Sequence, residues 1–435
     1  MQKMICENLS VNEKGELCFG GYSTVDLAEK YSTPLFVMDE ERIRHNARVY
    51  VDAMKEHFGE GSMPLFASKS ASFRQIYRII AEEGMGTDVV SSGEIYTAKS
   101  AGFPMEKAYF HGNNKTDFDI EFAIDNGVGC FVADNFEEID SIDRIAGEKG
   151  IRQKILLRLT PGIDPHTYEA VATGKVDSKF GSAIETGAAE EITVYALSKE
   201  NIDLYGFHCH VGSQVFDSDV YIAASEIMLE FIKDMKDKYS FTTRELNLGG
   251  GYGVRYTEND PVIDIAENIA LVAKTMKNKV SQLGIDLPKI FMEPGRSIVA
   301  DAGITLYKAG SVKIIPEYKN YVSIDGGMAD NPRFALYASP YTVLVADKMN
   351  EERDFTCSVV GRCCESGDII QENVQLPKSV KKGDVIAVLT TGAYNYSMSS
   401  NYNRLTKPPI VMVNKEKDYV AVKRESFEDL TRNEI

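Results

Sequence analysis

Residues 64–91 read PLFASKSASFRQIYRIIAEEGMGTDVVS. A short apolar run, PLFASK, leads into a segment with Phe73, Ile76, Tyr77 and Ile80 at three- and four-residue spacing, and a second run, GTDVVS, follows. That is one strand, one amphipathic helix and the next strand. Further apolar runs continue the pattern at 108–112 (AYFHG), 130–134 (CFVAD), 154–160 (KILLRLT), 204–210 (LYGFHCH), 245–250 (ELNLGG) and 289–294 (KIFMEP). Helix-length segments separate them, one carrying Ile222, Ile227, Leu229 and Ile232, and another helix over roughly 40–58 precedes the first strand. Apolar strands alternating with helices must be covered on both faces, which predicts a closed α/β fold, a (β/α)8 TIM-like barrel, over residues 40–300. An open doubly wound sheet is the rival. It would more often place GxGxxG after its first strand, where this chain has FASKSAS.

Beyond residue 300 the pattern changes. GITLYKAGSVKII, NYVSIDGG, FTCSVVG, DVIAVLT, PPIVMV and KDYVAVKR are strand-like, separated by turns, with hardly a helix among them. Residues 301–435 are expected to form a mostly β domain. The leader segments ELCFGGYS and TPLFVMDE, within 1–39, also look extended and are expected to join that sheet, with the barrel inserted between.

At 435 residues the chain is long enough for this two-domain plan. A net charge of −17 argues against nucleic acid or an anionic membrane surface as partner, both of which call for a basic face. The N-terminal MQKMICENLSVNEKGEL has no apolar signal-peptide core, and no stretch reaches membrane-spanning length, so a cytoplasmic protein is expected. Seven cysteines, an odd number without a CxxC pair, read as reduced thiols. His208 and His210 alternate along a strand without zinc spacing, so no metal is expected.

In such a barrel the C-terminal strand ends carry the chemistry. Lys69 stands at the first strand's end; if buried, its amine is pushed towards the neutral, nucleophilic form, and otherwise it is a lysine emerging into solvent. Gly249, Gly250 and Gly251 follow strand seven, and Gly295-Arg296 follow strand eight, the two loops that recurrently hold phosphate. A run of three glycines is otherwise just a flexible turn. Glu293 can keep a pyridine nitrogen protonated and so make the ring an electron sink; its bland alternative is a salt bridge at the barrel base. His210 can stack on a flat ring and Ser213 can donate to a phosphate, or His210 is a satisfied core residue.

Together FASKS, GTDVVSSGEIYTA, FHGNNK, TGKVDSKFG, HCHVGSQ, LNLGGGYG, EPGR, DGGMADNPRFALY, CESGD and GAYNYSMSSNYN resemble the alanine-racemase-like (fold type III) pyridoxal phosphate (PLP) enzymes, and within them the diaminopimelate decarboxylase family. FASKSAS departs from the YALKAN of many members but keeps the lysine. The resemblance implies a lyase that removes CO2 from the D-centre of meso-2,6-diaminopimelate to give L-lysine. It implies that Lys69 carries PLP and that His210 lies against its ring. Glu293 then meets the ring nitrogen, and Ser213, Gly250, Gly251, Gly295, Arg296 and Tyr394 serve the phosphate region. Arg296, Arg333, Tyr337, Glu365 and Tyr394 are expected at the substrate, with Cys364 as proton donor. Cys364 and Glu365 are expected to act in the neighbouring subunit's site, so a homodimer is implied. The bland alternatives are a buried thiol for Cys364 and a solvated surface pair for Arg333 and Glu365. Rival activities on the same fold are decarboxylation of arginine, ornithine or carboxynorspermidine, and racemisation.

Overall fold

A computed structural model describes residues 4–163 and 179–435. It divides into two compact units: Asn46–Gly253 with Val262–Gly295, and Met1–His45 with Val254–Pro261 and Arg296–Ile435.

The first unit is the barrel. Its strands are β1 (Met63–Ala67), β2 (Gly86–Val89), β3 (Ala108–Phe110), β4 (Cys130–Ala133), β5 (Gln153–Thr160), β6 (Ile202–His208), β7 (Glu245–Asn247) and β8 (Lys289–Met292). Each pairs in parallel with the next, and Phe291 and Met292 of β8 pair with Met63 and Pro64 of β1, which closes the cylinder. The helices start where the sequence supplies caps. Ser91, Thr116, Asn135, Asp217 and Asp264 each accept a backbone N–H in the first turn of the helix they precede. Helix Arg74–Glu82 buries Ile76, Tyr77, Ile79 and Ile80, the stripe its spacing predicts.

Inside the cylinder, Leu65, Tyr109, Cys130, Val132, Leu156 and Phe291 form an apolar layer. The N-terminal end is closed by Lys154, whose Nζ is 2.6 Å from Glu245 Oε1, while the Tyr109 hydroxyl donates to Glu245 Oε2 at 3.0 Å. Strands end earlier than the apolar runs suggest: β1 stops at Ala67, β6 at His208, β7 at Asn247 and β8 at Met292. Lys69, His210, the glycine run and Glu293 therefore lie just past their strands.

The second unit is mostly β. Its hub is the thirteen-residue strand Gly303–Ile315, which pairs antiparallel with Leu35–Asp39, Lys319–Ile324 and Val385–Val388. TPLFVMDE thus joins the large sheet through Leu35–Asp39, as expected. ELCFGGYS does not: Leu17–Phe19 and Tyr22–Ser23 build a separate three-stranded sheet with Leu9–Val11. The reason lies in Gly20-Gly21, both with φ in the left-handed region, which fold the segment back on itself. Short helices that strand patterning did not show occur at Arg296–Val299, Arg333–Tyr337 and Phe427–Thr431. No helix among the described residues is long and apolar enough to cross a membrane.

Candidate active site

Lys69 sits in a single 3-10 turn, Ser68–Ser70, immediately after β1. The flanking serines are buried and bonded: Ser68 donates to Glu94 Oε2 at 2.6 Å and Ser70 to the Ala67 carbonyl at 2.8 Å. Lys69 itself is exposed, so the buried lysine considered from sequence is not what the chain's own packing provides. The departure from YALKAN has a physical content: two hydroxyls pin the turn that presents the amine. Gly295 closes in on this turn. A Cβ there would lie 2.9 Å from the Ala67 Cβ, and the Ala67 amide donates to the Pro294 carbonyl at 3.0 Å. Close approach, rather than an unusual φ, is why position 295 takes glycine.

Glu293, the residue after β8, is buried. Its Oε1 is 2.7 Å from His111 Nε2 and accepts from Asn247 Nδ2 at 2.7 Å, and its Oε2 is 3.0 Å from His208 Nε2. It is not a base-of-barrel salt bridge; that arrangement belongs to Glu245. Although burial pushes the carboxyl up, the two imidazoles outweigh it and hold Glu293 well below the usual carboxylate range. Burial pushes His208 down to about 4, so it donates as a neutral imidazole.

The glycine run is not a loose turn. Gly249 N–H donates to Asn247 Oδ1 at 2.9 Å and Gly250 N–H to His210 Nδ1 at 3.2 Å. A Cβ on Gly250 would lie 2.0 Å from the Glu293 carbonyl oxygen. Two of the three amides expected to cradle phosphate, those of Gly249 and Gly250, are thus satisfied within the barrel. His210 is half-buried, its proton affinity held well below the ordinary histidine value by its surroundings and by the charges of Lys69 and Arg158. Ser213, three residues on, is half-buried.

Four polar residues around this cluster carried no assigned role from sequence: His111, His208, Asn247 and Asp88. Asp88 on β2 is buried, and burial raises its carboxyl pKa against the pull of His111 and Lys69. The available signal was position: polar residues at the ends of otherwise apolar barrel strands, where packing offers no reason for them. The ligand atoms of His111, His208 and Glu293 lie within 4.8 Å of one another. Both imidazoles turn Nε2 onto the carboxylate itself, His208 through a hydrogen bond and His111 through a close contact, rather than being donors arranged around a common point. Of the loop 171–183 (VATGKVDSKFGSA), whose length and glycine content suggest a closing lid, residues 171–178 lie outside the described residues, as does His166.

In the β unit, Arg296 is buried, with Nη1 donating to the Tyr256 hydroxyl at 2.7 Å and its guanidinium 4.8 Å from the Tyr394 ring centroid. Tyr394 has φ +65, a conformation that costs a non-glycine residue on the order of 1 kcal/mol and that the surrounding structure must impose. Arg333 opens helix Arg333–Tyr337 and is buried, Nη1 donating to the Tyr341 hydroxyl at 3.1 Å, with the Tyr256 ring centroid 4.7 Å away. Among the described residues no carboxylate pairs with it. Tyr337 is exposed at the other end of the same helix. Arg333 and Glu365 are therefore not a surface pair: the arginine is buried, and Glu365 is exposed and accepts from the Gly367 amide at 3.2 Å.

The vicinal cysteines split. Cys363 is buried, its thiol pushed up to about 11 by burial, while Cys364 is exposed, which excludes the inert core thiol as its reading. Asp368 organises this loop by accepting the amides of Met328 at 2.6 Å and Cys363 at 2.7 Å.

Comparison with known proteins follows the same lines. A family model described as the pyridoxal binding domain of pyridoxal-dependent decarboxylases matches residues 43–300. The diaminopimelate decarboxylase of Bacillus methanolicus is 45% identical over 414 residues, 95% of each chain. That of Bacillus subtilis (strain 168) is 43% identical over 424 residues, 98% of this chain and 96% of the relative. The crystal structure of diaminopimelate decarboxylase from M. jannaschii in complex with L-lysine superposes with a TM-score of 0.92 at 33% identity, covering 100% of this chain and 99% of that one.

Proposed function

The chain belongs to the pyridoxal-dependent decarboxylases, in their diaminopimelate decarboxylase family, and from that premise we propose how its residues divide the work. The protein is a PLP-dependent decarboxylase that converts meso-2,6-diaminopimelate, at its D-centre, to L-lysine and CO2, the last step of lysine biosynthesis. When bound, PLP supplies an aldehyde for the amine and a protonated pyridine that accepts the electron pair left by departing CO2. The barrel residues fit it: an exposed amine on a pinned turn, a buried carboxylate without a lysine or arginine partner among the described residues, and a close-packed glycine turn.

Lys69 Nζ is the covalent anchor, and Glu293 faces the ring nitrogen. His210 lies against the ring, with Ser213, Gly251, Gly250, Gly295, Arg296 and Tyr394 at the phosphate. Cys364 Sγ, or Lys69 Nζ, delivers the proton that replaces CO2 on the D-carbon. Arg333, with Arg296, Tyr337 and Tyr394, takes the carboxylate of the far L-centre, and Glu365 takes its ammonium. The observation that carries the substrate assignment is Arg333: a buried guanidinium held only by phenols invites a carboxylate, and leaving it unpaired is costly. Selectivity follows, because arginine and ornithine offer no distal carboxylate. Incubating the enzyme and PLP with meso-diaminopimelate, ornithine and arginine, and measuring CO2, tests it. Turnover of arginine alone overturns the assignment.

The β unit is the source of substrate and dimer contacts in this reading, with Cys364 and Glu365 serving the neighbouring subunit of a cytoplasmic homodimer that needs no nucleic acid. Mixing Lys69→Ala with Cys364→Ala subunits tests the sharing. Hybrid dimers then hold one intact site of two, and activity returns to about one quarter of wild type. No recovery on mixing places both residues in the same protomer's site. Glu365→Ala is expected to raise the substrate KM while leaving PLP affinity unchanged; an unchanged KM removes it from the substrate site.

A further inference from the structure

An ionised carboxylate offers about four acceptor positions, two on each oxygen. On Glu293, Asn247 Nδ2 fills one on Oε1 at 2.7 Å and His208 Nε2 fills one on Oε2 at 3.0 Å, while His111 Nε2 stands 2.7 Å from Oε1 as a close contact without hydrogen-bond alignment. A position remains on Oε2. We infer that His111, His208 and Asn247 are positioning residues that hold the Glu293 carboxylate and leave an acceptor position on its Oε2 for the cofactor's ring nitrogen. The inference rests on the reading of Glu293 as partner of that nitrogen.

His208 and Asn247 are register partners on the adjacent strands β6 and β7, and His111 stands just past β3. Asn247 is fully buried and bridges, its Nδ2 donating to Glu293 while its Oδ1 accepts from Gly249 N–H at 2.9 Å. Both halves of the amide are used, which fixes its orientation. His111 begins a loop clamped by Lys115, whose Nζ donates to the Gly112 carbonyl at 2.9 Å, the Val132 carbonyl at 2.8 Å and Glu138 Oε1 at 2.7 Å. Three donors meet three acceptors, so this buried lysine is satisfied and the loop is held. His208 packs edge-on against His111, ring centroids 4.8 Å apart.

The choice of an imidazole and an amide as donors has a chemical consequence. A proton between a carboxylate and a pyridine resides on the more basic of the two. Each hydrogen bond donated to the carboxylate lowers its basicity, so the two from His208 and Asn247, with the His111 contact beside them, favour the proton on the ring. A lysine would do the same and also cancel the charge that draws the ring proton in. The other titratable groups that feel Glu293 are Asp88, Arg158, Cys209, His210 and Tyr109, and all remain when a donor is removed.

The test uses holoenzyme reconstituted with ring-15N-labelled PLP, whose nitrogen chemical shift reports protonation directly between about pH 6 and 9, within the range where an unperturbed histidine and thiol titrate. The ring nitrogen is expected protonated in wild type, and shifted towards the unprotonated form in His111→Ala, His208→Ala and Asn247→Ala. His208→Gln, whose amide nitrogen reaches the Nε2 position, should restore it. PLP dissociation constants should rise about tenfold per donor lost. Glu293→Gln separates the two claims. If it leaves the nitrogen protonated, the assignment of Glu293 fails; if it removes the proton while the alanine variants do not move it, the assignment stands and the cradle is refuted. Should an alanine variant not fold, 15N-histidine spectra of the wild-type holoenzyme decide. A neutral, Nε2-protonated His208 is expected, and an imidazolium or the opposite tautomer there overturns the inference.

Discussion

The barrel holds two buried glutamates at opposite ends of adjacent strands. Glu245 begins β7 and is neutralised by Lys154, with a phenol in support; Glu293 follows β8 and is held by two imidazoles and an amide. Both are almost out of water, so both must be satisfied. They differ in what the pairing leaves over. A lysine cancels the charge and the group becomes a fastener. The neutral His208 imidazole and the Asn247 amide stabilise the anion without cancelling it, so a cation can still be drawn to it. One end of the cylinder is finished; the other is prepared.

Exchanging lysines gives the sharpest way to break that comparison. Lys69→Ala is expected to take decarboxylation to background and abolish the PLP absorbance that borohydride removes, whereas Lys154→Met keeps the band. Loss of the band in both would mean that the two ends are not functionally distinct. Next come the glutamates themselves. Glu293→Gln should cut kcat/KM by about 10²- to 10³-fold with little change in the urea midpoint, since an amide can still meet some of the donors. Glu245→Gln should leave kcat/KM near wild type and lower stability by about 1–3 kcal/mol, because Lys154 loses its counter-charge. Arg333→Ala should raise the KM for meso-diaminopimelate by about 10²-fold, the cost of a lost charge-assisted contact, without altering PLP affinity. An unchanged KM would leave Arg333 a packing residue.

The smallest effect is on stability against pH. His208 is held at about 4 against an ordinary value of 6.5. The unfolded chain therefore takes up a proton first as pH falls, and the stabilisation that is complete above about 6.5 is lost by about 4, up to about 3 kcal/mol. The lowered pKa of Glu293 adds the carboxylate's own loss below about pH 4.3. His208→Gln should flatten the curve between about pH 4 and 6.5 in urea titrations; an unaltered slope would mean the imidazole is not buried neutral.

Much of this was readable in order along the chain. The helix stripe at Ile76, Tyr77 and Ile80, the apolar strands, Lys69, the glycine run and Glu293 all announce themselves locally, because periodicity and glycine are local signals. The error over ELCFGGYS was of a different kind: an extended segment says nothing about which sheet it joins. The split between Cys363 and Cys364 was equally hidden, since it turns on the Asp368 carboxylate fixing the loop that carries both.

The sequence by itself determined the alternation of strand and helix, the chemistry on offer at the strand ends and the family to which it points. Each of these depends on residues near one another in the chain. Only the tertiary structure decided that His111, just past β3, and His208 and Asn247, from β6 and β7, converge on Glu293, and that Lys154 and Tyr109 converge on Glu245 instead. Closure of β8 onto β1 brings residues far apart in the chain within hydrogen-bonding distance, and no local pattern encodes which polar side chain will find which.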